Sequence, residues 1–134
     1  MPSTALTLFA VAIGGASGAL CRYAVGFWAL RLSISSPLGT LLVNATGAFF
    51  IGLLFALLVE RELLPDFWRA LLMVGFLGAL TTFSAFSLEL LQMLQRGEWL
   101  AAVAYSTASV ILCLALTYAG VELGRALSSL SQMA

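Results

Sequence analysis

Four apolar stretches, at about residues 5–30, 38–59, 67–94 and 99–127, follow one another along this chain with short polar connections between them. A helix needs roughly 20 apolar residues to cross a bilayer, so each stretch is long enough to span. Within lipid every backbone N–H and C=O must find its partner inside the protein, which restricts such a chain to helices. The sequence therefore predicts an all-α integral membrane protein of four transmembrane helices, with residues 1–134 forming one domain. Composition agrees, since 62% of the residues are hydrophobic and 9% charged, with a mean hydropathy of +1.07, far from a soluble domain. Trp28, Trp68 and Trp99 fall at the span ends, where amphipathic rings favour the headgroup layer.

The connections at residues 31–37, 60–66 and 95–98 leave no room for a soluble catalytic or ligand-binding domain, so the function lies within the bilayer. Histidine and lysine are both absent, which removes imidazole proton relays and Schiff-base chemistry. Cys21 and Cys113 sit inside apolar segments and read as small buried hydrophobes rather than a disulfide. No nucleophile, base and orienting group can be assembled, so no enzymatic activity is expected; nor is a nucleic-acid partner. Met1, Pro2, Ser3 and Thr4 lack the basic start of a secretory signal, and the N-terminus is expected to be retained.

Arg61, Arg69 and Arg125 fall on one side of the predicted bundle, and Arg31 and Arg96 on the other, with Arg22 nearest the second. Orientation follows such a bias, and here it nearly vanishes. Dual topology, and with it an antiparallel homodimer, is the expectation; a single orientation is the alternative. In the first span Gly14, Gly18, Arg22 and Gly26 recur every fourth residue. They make one face on which backbones can approach closely, either within the bundle or between copies.

The polar residues inside the spans need partners. The run from Gly75 to Phe86, rich in glycine, hydroxyls and phenylalanine, reads as a third helix broken near its centre. Irregular backbone at that depth requires cover from protein or a water-filled cavity. Asn44 is a full amide deep in the second span, with Thr40 and Gly47 on its face. It either bonds another helix as glue or donates its NH₂ to a passing solute. Phe83 and Phe86, spaced i, i+3 among Thr82, Ser84 and Ser87, either pack against core or lipid or present their positive ring edges to a small anion. Glu89 and Arg22 are charges within spans, for which an ion pair with each other or interfacial anchoring is expected. Tyr105, Ser109, Cys113 and Thr117 draw one polar line along the last span, a row of donors suited to anions or water. Unwinding between Gly78 and Thr82 would free carbonyls able to hold a monovalent cation.

Three stretches carry a specific resemblance: Gly14 through Tyr23, Gly39 through Asn44, and Gly75 through Phe86. In that order, with four spans, the chain resembles the Fluc (CrcB) family of small fluoride channels along nearly its whole length. The resemblance implies a dual-topology antiparallel homodimer in the inner (plasma) membrane, with two fluoride pores. It also implies a structural Na⁺ at the dimer centre, held by main-chain carbonyls of Gly78 and Thr81. Asn44 would be the pore amide, Phe83 and Phe86 the pore rings, and Tyr105, Ser109 and Thr117 the polar row, with Thr40 and Ser84 beside the path. Arg22 would match the family's vestibule arginine and Glu89 its third-helix carboxylate. Ala85 departs from a common threonine and Cys113 from a common hydroxyl. The implied activity is passive release of fluoride down its electrochemical gradient. The alternative is a small four-helix coupled exporter of the multidrug type, which is expected to carry an essential carboxylate in the first span, where this chain has Arg22.

Overall fold

The computed structural model describes residues 4–62 and 64–131; the reading of Met1, Pro2 and Ser3 lies outside them. The described residues form helices and no strand, and four segments are long and apolar enough to cross a membrane. Helix α1 is Thr4–Arg31, and α2 is Ser36–Leu54, continued by a π-helical turn over Phe55–Glu60. The third span, Asp66–Gln95, contains α3, built from Asp66–Trp68, a π-helical Arg69–Leu77 and Gly78–Leu80, and then α4, Phe83–Gln95. Helix α5 is Trp99–Ser131.

The turns are closed by backbone hydrogen bonds. After α1 the chain reverses through Ser33 at φ 57°, with the Ile34 N–H donating to the Ala29 carbonyl at 2.9 Å. Pro37 then sits in the first turn of α2, where a missing N–H leaves no orphan. After α4, Gly97 takes φ 76°, and the Gly97 and Glu98 N–H groups donate to the Leu94 and Met93 carbonyls, both at 3.0 Å. A left-handed residue at this position suits glycine, and the paired bonds satisfy carbonyls that the helix end leaves free.

Helix α1 packs chiefly on the π-helical part of α3, and α2 on α5. A Cβ at Gly14 or Gly18 would collide with the backbone carbonyl of Leu71 or Phe76, and one at Gly52 or Gly120 with that of Thr117 or Phe49. Backbones touch at both interfaces. Of the two readings of the first-span stripe, Gly14 and Gly18 follow the intramolecular one, whereas a Cβ on Gly26 meets nothing within 4 Å.

At one end of the bundle Arg125 bridges to Glu60 at 2.6 Å and to Glu122 at 3.0 Å, tying α5 to the end of α2. Arg96 pairs with Glu98 at 2.9 Å across the short α4–α5 connection. Such solvent-exposed pairs are screened and contribute little to stability. The expected Arg22–Glu89 ion pair is not among the ion pairs of the described residues. Arg22 lines a cavity at the α1–α2 boundary, while Glu89 turns toward α2 and α5 and finds hydroxyl donors there.

Candidate functional site

The site is built where α2 meets the junction of α3 and α4. Between these two helices Thr81 (φ −78°, ψ 154°) and Thr82 (φ −148°, ψ 122°) are extended. A Thr82 N–H in continuous helix would donate to the Gly78 carbonyl four residues back. Here it donates to Asn44 Oδ1 at 2.8 Å, and Asn44 Nδ2 donates to the Thr82 carbonyl at 3.0 Å. The carboxamide thus pairs with one extended residue as a neighbouring strand would, satisfying both of its backbone groups. One N–H of Asn44 is left without an acceptor among the described residues. Thr82 Oγ1 also accepts from the Ala85 N–H at 3.2 Å, capping α4, and lies 3.2 Å from Ser84 Oγ. Threonine and serine oxygens at a helix start satisfy one of its orphan donors.

One turn into α4 the rings of Phe83 and Phe86 lie 5.6 Å apart, tilted by 37°. Phe86 continues to the Tyr105 ring of α5 at 5.2 Å. Phe83 is 78% exposed in the single chain, so the pair runs from the surface inward. Beneath them lies Glu89, only 8% exposed. Its Oε1 accepts from Ser36 at 2.5 Å and from Thr40 at 2.8 Å, and its Oε2 accepts from Tyr105 at 2.8 Å. A carboxylate in an apolar setting is costly unless its lone pairs are met, and three hydroxyls from two helices meet them here. The Tyr105 ring itself is held in a cluster with Met93 and Ala102.

The polar line of α5 divides. Tyr105 turns to Glu89, whereas Ser109 Oγ donates to the Tyr105 carbonyl at 2.7 Å and Thr117 Oγ1 to the Cys113 carbonyl at 2.9 Å. Back-bonding of this kind is the ordinary behaviour of hydroxyls inside helices.

Two cavities flank the Asn44–Thr82 pair, and Thr82 lines both. The first, about 360 Å³, brings together Asn44, Gly78, Thr81, Phe83, Cys113 and Thr117. The second, about 340 Å³, includes Arg22, Ser36, Thr40 and Ala85. Glu89, Phe86, Tyr105, Ser109 and Ser84 line neither.

Sequence reasoning missed two participants. Ser36 lies four residues before Thr40 and eight before Asn44, a helical period that extends the same polar face by one turn. Thr82 was visible only as a neighbour of the rings and as the end of the expected unwinding, not as the partner of Asn44, because pairing with an extended residue has no sequence period.

The profile of the CrcB-like protein, Camphor Resistance (CrcB) family matches residues 9–121. This chain belongs to that CrcB-like family. A relative from Saccharophagus degradans, named fluoride-specific ion channel FluC, is 42% identical over 124 residues, covering 92% of this chain and 93% of the relative. CrcB-like relatives of the same name from Magnetococcus marinus and Rhizobium etli are 46% and 50% identical over 119 residues, covering 86% and 87% of this chain and 94% of each relative.

Proposed function

We propose that this protein is a fluoride-selective ion channel that lets fluoride leave the cell passively down its electrochemical gradient, lowering cytoplasmic fluoride. Family membership and the relatives' shared name support this. The observation that carries it to this chain is the Asn44 amide, held by Thr82 with one N–H uncommitted on the wall of a cavity shared with Phe83.

Transferring a small ion to low dielectric costs on the order of 20 kcal/mol by the idealised Born estimate. A pore must replace the lost hydration with donors too weak to trap the ion. In this reading Asn44 supplies one N–H, and Phe83 and Phe86 supply ring edges with positive potential. Ser84 supplies a hydroxyl, while those of Thr40, Tyr105, Ser109 and Thr117 already donate and would release their present acceptors to meet the ion. Ser109 and Thr117 would exchange their helix carbonyls for the passing ion, trading one hydrogen bond for another at little net cost. Arg22 would stand at the aqueous mouth, and Glu89 would hold Thr40 and Tyr105 in place.

The same reading makes the third span a transmembrane helix broken near its centre, in an antiparallel dual-topology homodimer of the inner (plasma) membrane. A lone chain would leave Phe83 and the first cavity against lipid, which offers polar groups no partner; a second copy would cover them. The diversion of the Thr82 N–H to Asn44 leaves the Gly78 carbonyl free, and extended Thr81 turns its own carbonyl out of the helix. Neutral carbonyl oxygens suit a hard monovalent cation, so the residues present fit the sodium that the family implies. A Na⁺ bound there would neutralise the freed backbone oxygens of both copies.

The deciding experiment is efflux from liposomes holding the purified protein, read with a fluoride electrode and with chloride-loaded liposomes as control. Release of fluoride without chloride is expected, together with loss of fluoride release in Asn44→Asp and Phe86→Ile. Absence of release from verified dimer would sink the channel and favour a coupled exporter.

A further inference from the structure

Three hydroxyls meet Glu89, but its two oxygens share them unevenly. Oε1 accepts twice, from Ser36 at 2.5 Å and from Thr40 at 2.8 Å, whereas Oε2 accepts, among the described residues, from Tyr105 at 2.8 Å. A buried carboxylate oxygen that loses its last donor bears the full desolvation penalty of an unmet acceptor. Thr40 can therefore leave while Ser36 stays, and each oxygen still keeps one partner. Tyr105 has no such deputy.

The backbone holds Ser36 where a permanent donor is needed. It is the first residue of α2, and Pro37 beside it has a fixed φ. The Gly39 N–H donates to the Ser35 carbonyl at 3.1 Å, closing the turn around it. Thr40 follows one helical turn later on the same face, and both residues line the cavity that contains Arg22. Ser36 is exposed there while Glu89 is buried. The serine thus reaches from the aqueous mouth down to the carboxylate.

We infer that Ser36 is a positioning residue for conduction: it keeps Glu89 Oε1 satisfied from the mouth, so that the Thr40 hydroxyl can turn from Glu89 to the ion and back. This role rests on the channel reading and deepens it. Without Ser36, Thr40 becomes the last donor to Oε1 and stays on Glu89. A water in the serine's place would be exchangeable and would stand where the ion enters. Hydrogen bonds to a carboxylate are of the stronger, charge-assisted kind, so the loss is not a small one.

Fluoride release from liposomes is compared for wild type, Ser36→Ala, Ser36→Thr, Thr40→Val and the double variant Ser36→Ala/Thr40→Val, each verified as folded by thermal unfolding in detergent. Ser36→Ala should slow release about tenfold, the factor that one such hydrogen bond implies. Ser36→Thr, which restores the hydroxyl, should recover most of it. Thr40→Val removes one donor among several and should slow release without stopping it. On that background Ser36→Ala should slow it no further, because no Thr40 hydroxyl remains to be freed. Losses that multiply in the double variant would mean that Ser36 merely braces the fold and would overturn the inference. Ser36→Cys, a weak donor of similar size, serves if Ser36→Ala does not fold. Wild type that releases no fluoride would sink the channel reading and this role together, whereas release by Ser36→Ala equal to that of a conducting wild type would sink this role alone.

Discussion

Two kinds of helix contact hold this bundle, and they are specified differently. Along α1–α3 and α2–α5, glycines bring backbone against backbone, with Arg125 and Glu60 pairing only at the end of the α2–α5 seam. Where α2 meets α4, contact runs through Asn44, Thr40, Ser36, Glu89 and Thr82. In lipid the hydrophobic effect does not separate helix from helix. The first seam is thus fixed by van der Waals fit and the second by the cost of unmet polar groups. The first tolerates no added volume. The second tolerates volume but not a lost partner, which leaves space for cavities on either side of Thr82.

Adding volume to the tight seam should do the most damage. Gly18→Leu places a branched side chain against the Phe76 carbonyl, on backbone that cannot yield, and overpacking of this kind costs about 3 kcal/mol. Thermal unfolding in detergent should show it, and a variant as stable as wild type would mean the helices are not in backbone contact. In the polar seam, Glu89→Ala removes the acceptor of three hydroxyls, for an expected loss of about 2–3 kcal/mol. Glu89→Gln, which keeps an accepting oxygen, should recover part of that stability.

Asn44→Ala forfeits both bonds to Thr82 and should cost about 2 kcal/mol, with fluoride release falling at least about tenfold. Normal release from this variant would leave Asn44 as glue alone. Thr82→Ala keeps the backbone pairing with Asn44 and loses the cap on α4, a change of about 1 kcal/mol. The mildest substitution sharpens the comparison most. Gly15 has nothing within 4 Å of an added Cβ, so Gly15→Ala should be within about 0.5 kcal/mol of wild type or slightly stabilising. A larger loss would reveal that a second copy packs on that face.

Much of the candidate site was visible as residue types at helical spacing. Thr40 and Asn44 share a face because they are four apart, and Phe83 and Phe86 because they are three apart. The partners were not visible. Sequence reasoning offered Glu89 an ion pair with Arg22 or a place at the interface, because charges in lipid seek opposite charges or water, yet the rotation of α4 aims it at Ser36, Thr40 and Tyr105. The α5 row looked uniform, yet Tyr105 leaves it for Glu89 while Ser109 and Thr117 bond their own helix.

The sequence by itself determined that this is a helical membrane protein of four spans. Lipid leaves the backbone no alternative, and apolar length can be read residue by residue. It also determined which side chains share a face. Only the tertiary structure decided which face meets which helix and which polar group answers Asn44 or Glu89. Periodicity carries position around one helix axis, whereas the rotation and depth of each helix against its neighbours emerge from packing contacts far apart in the chain.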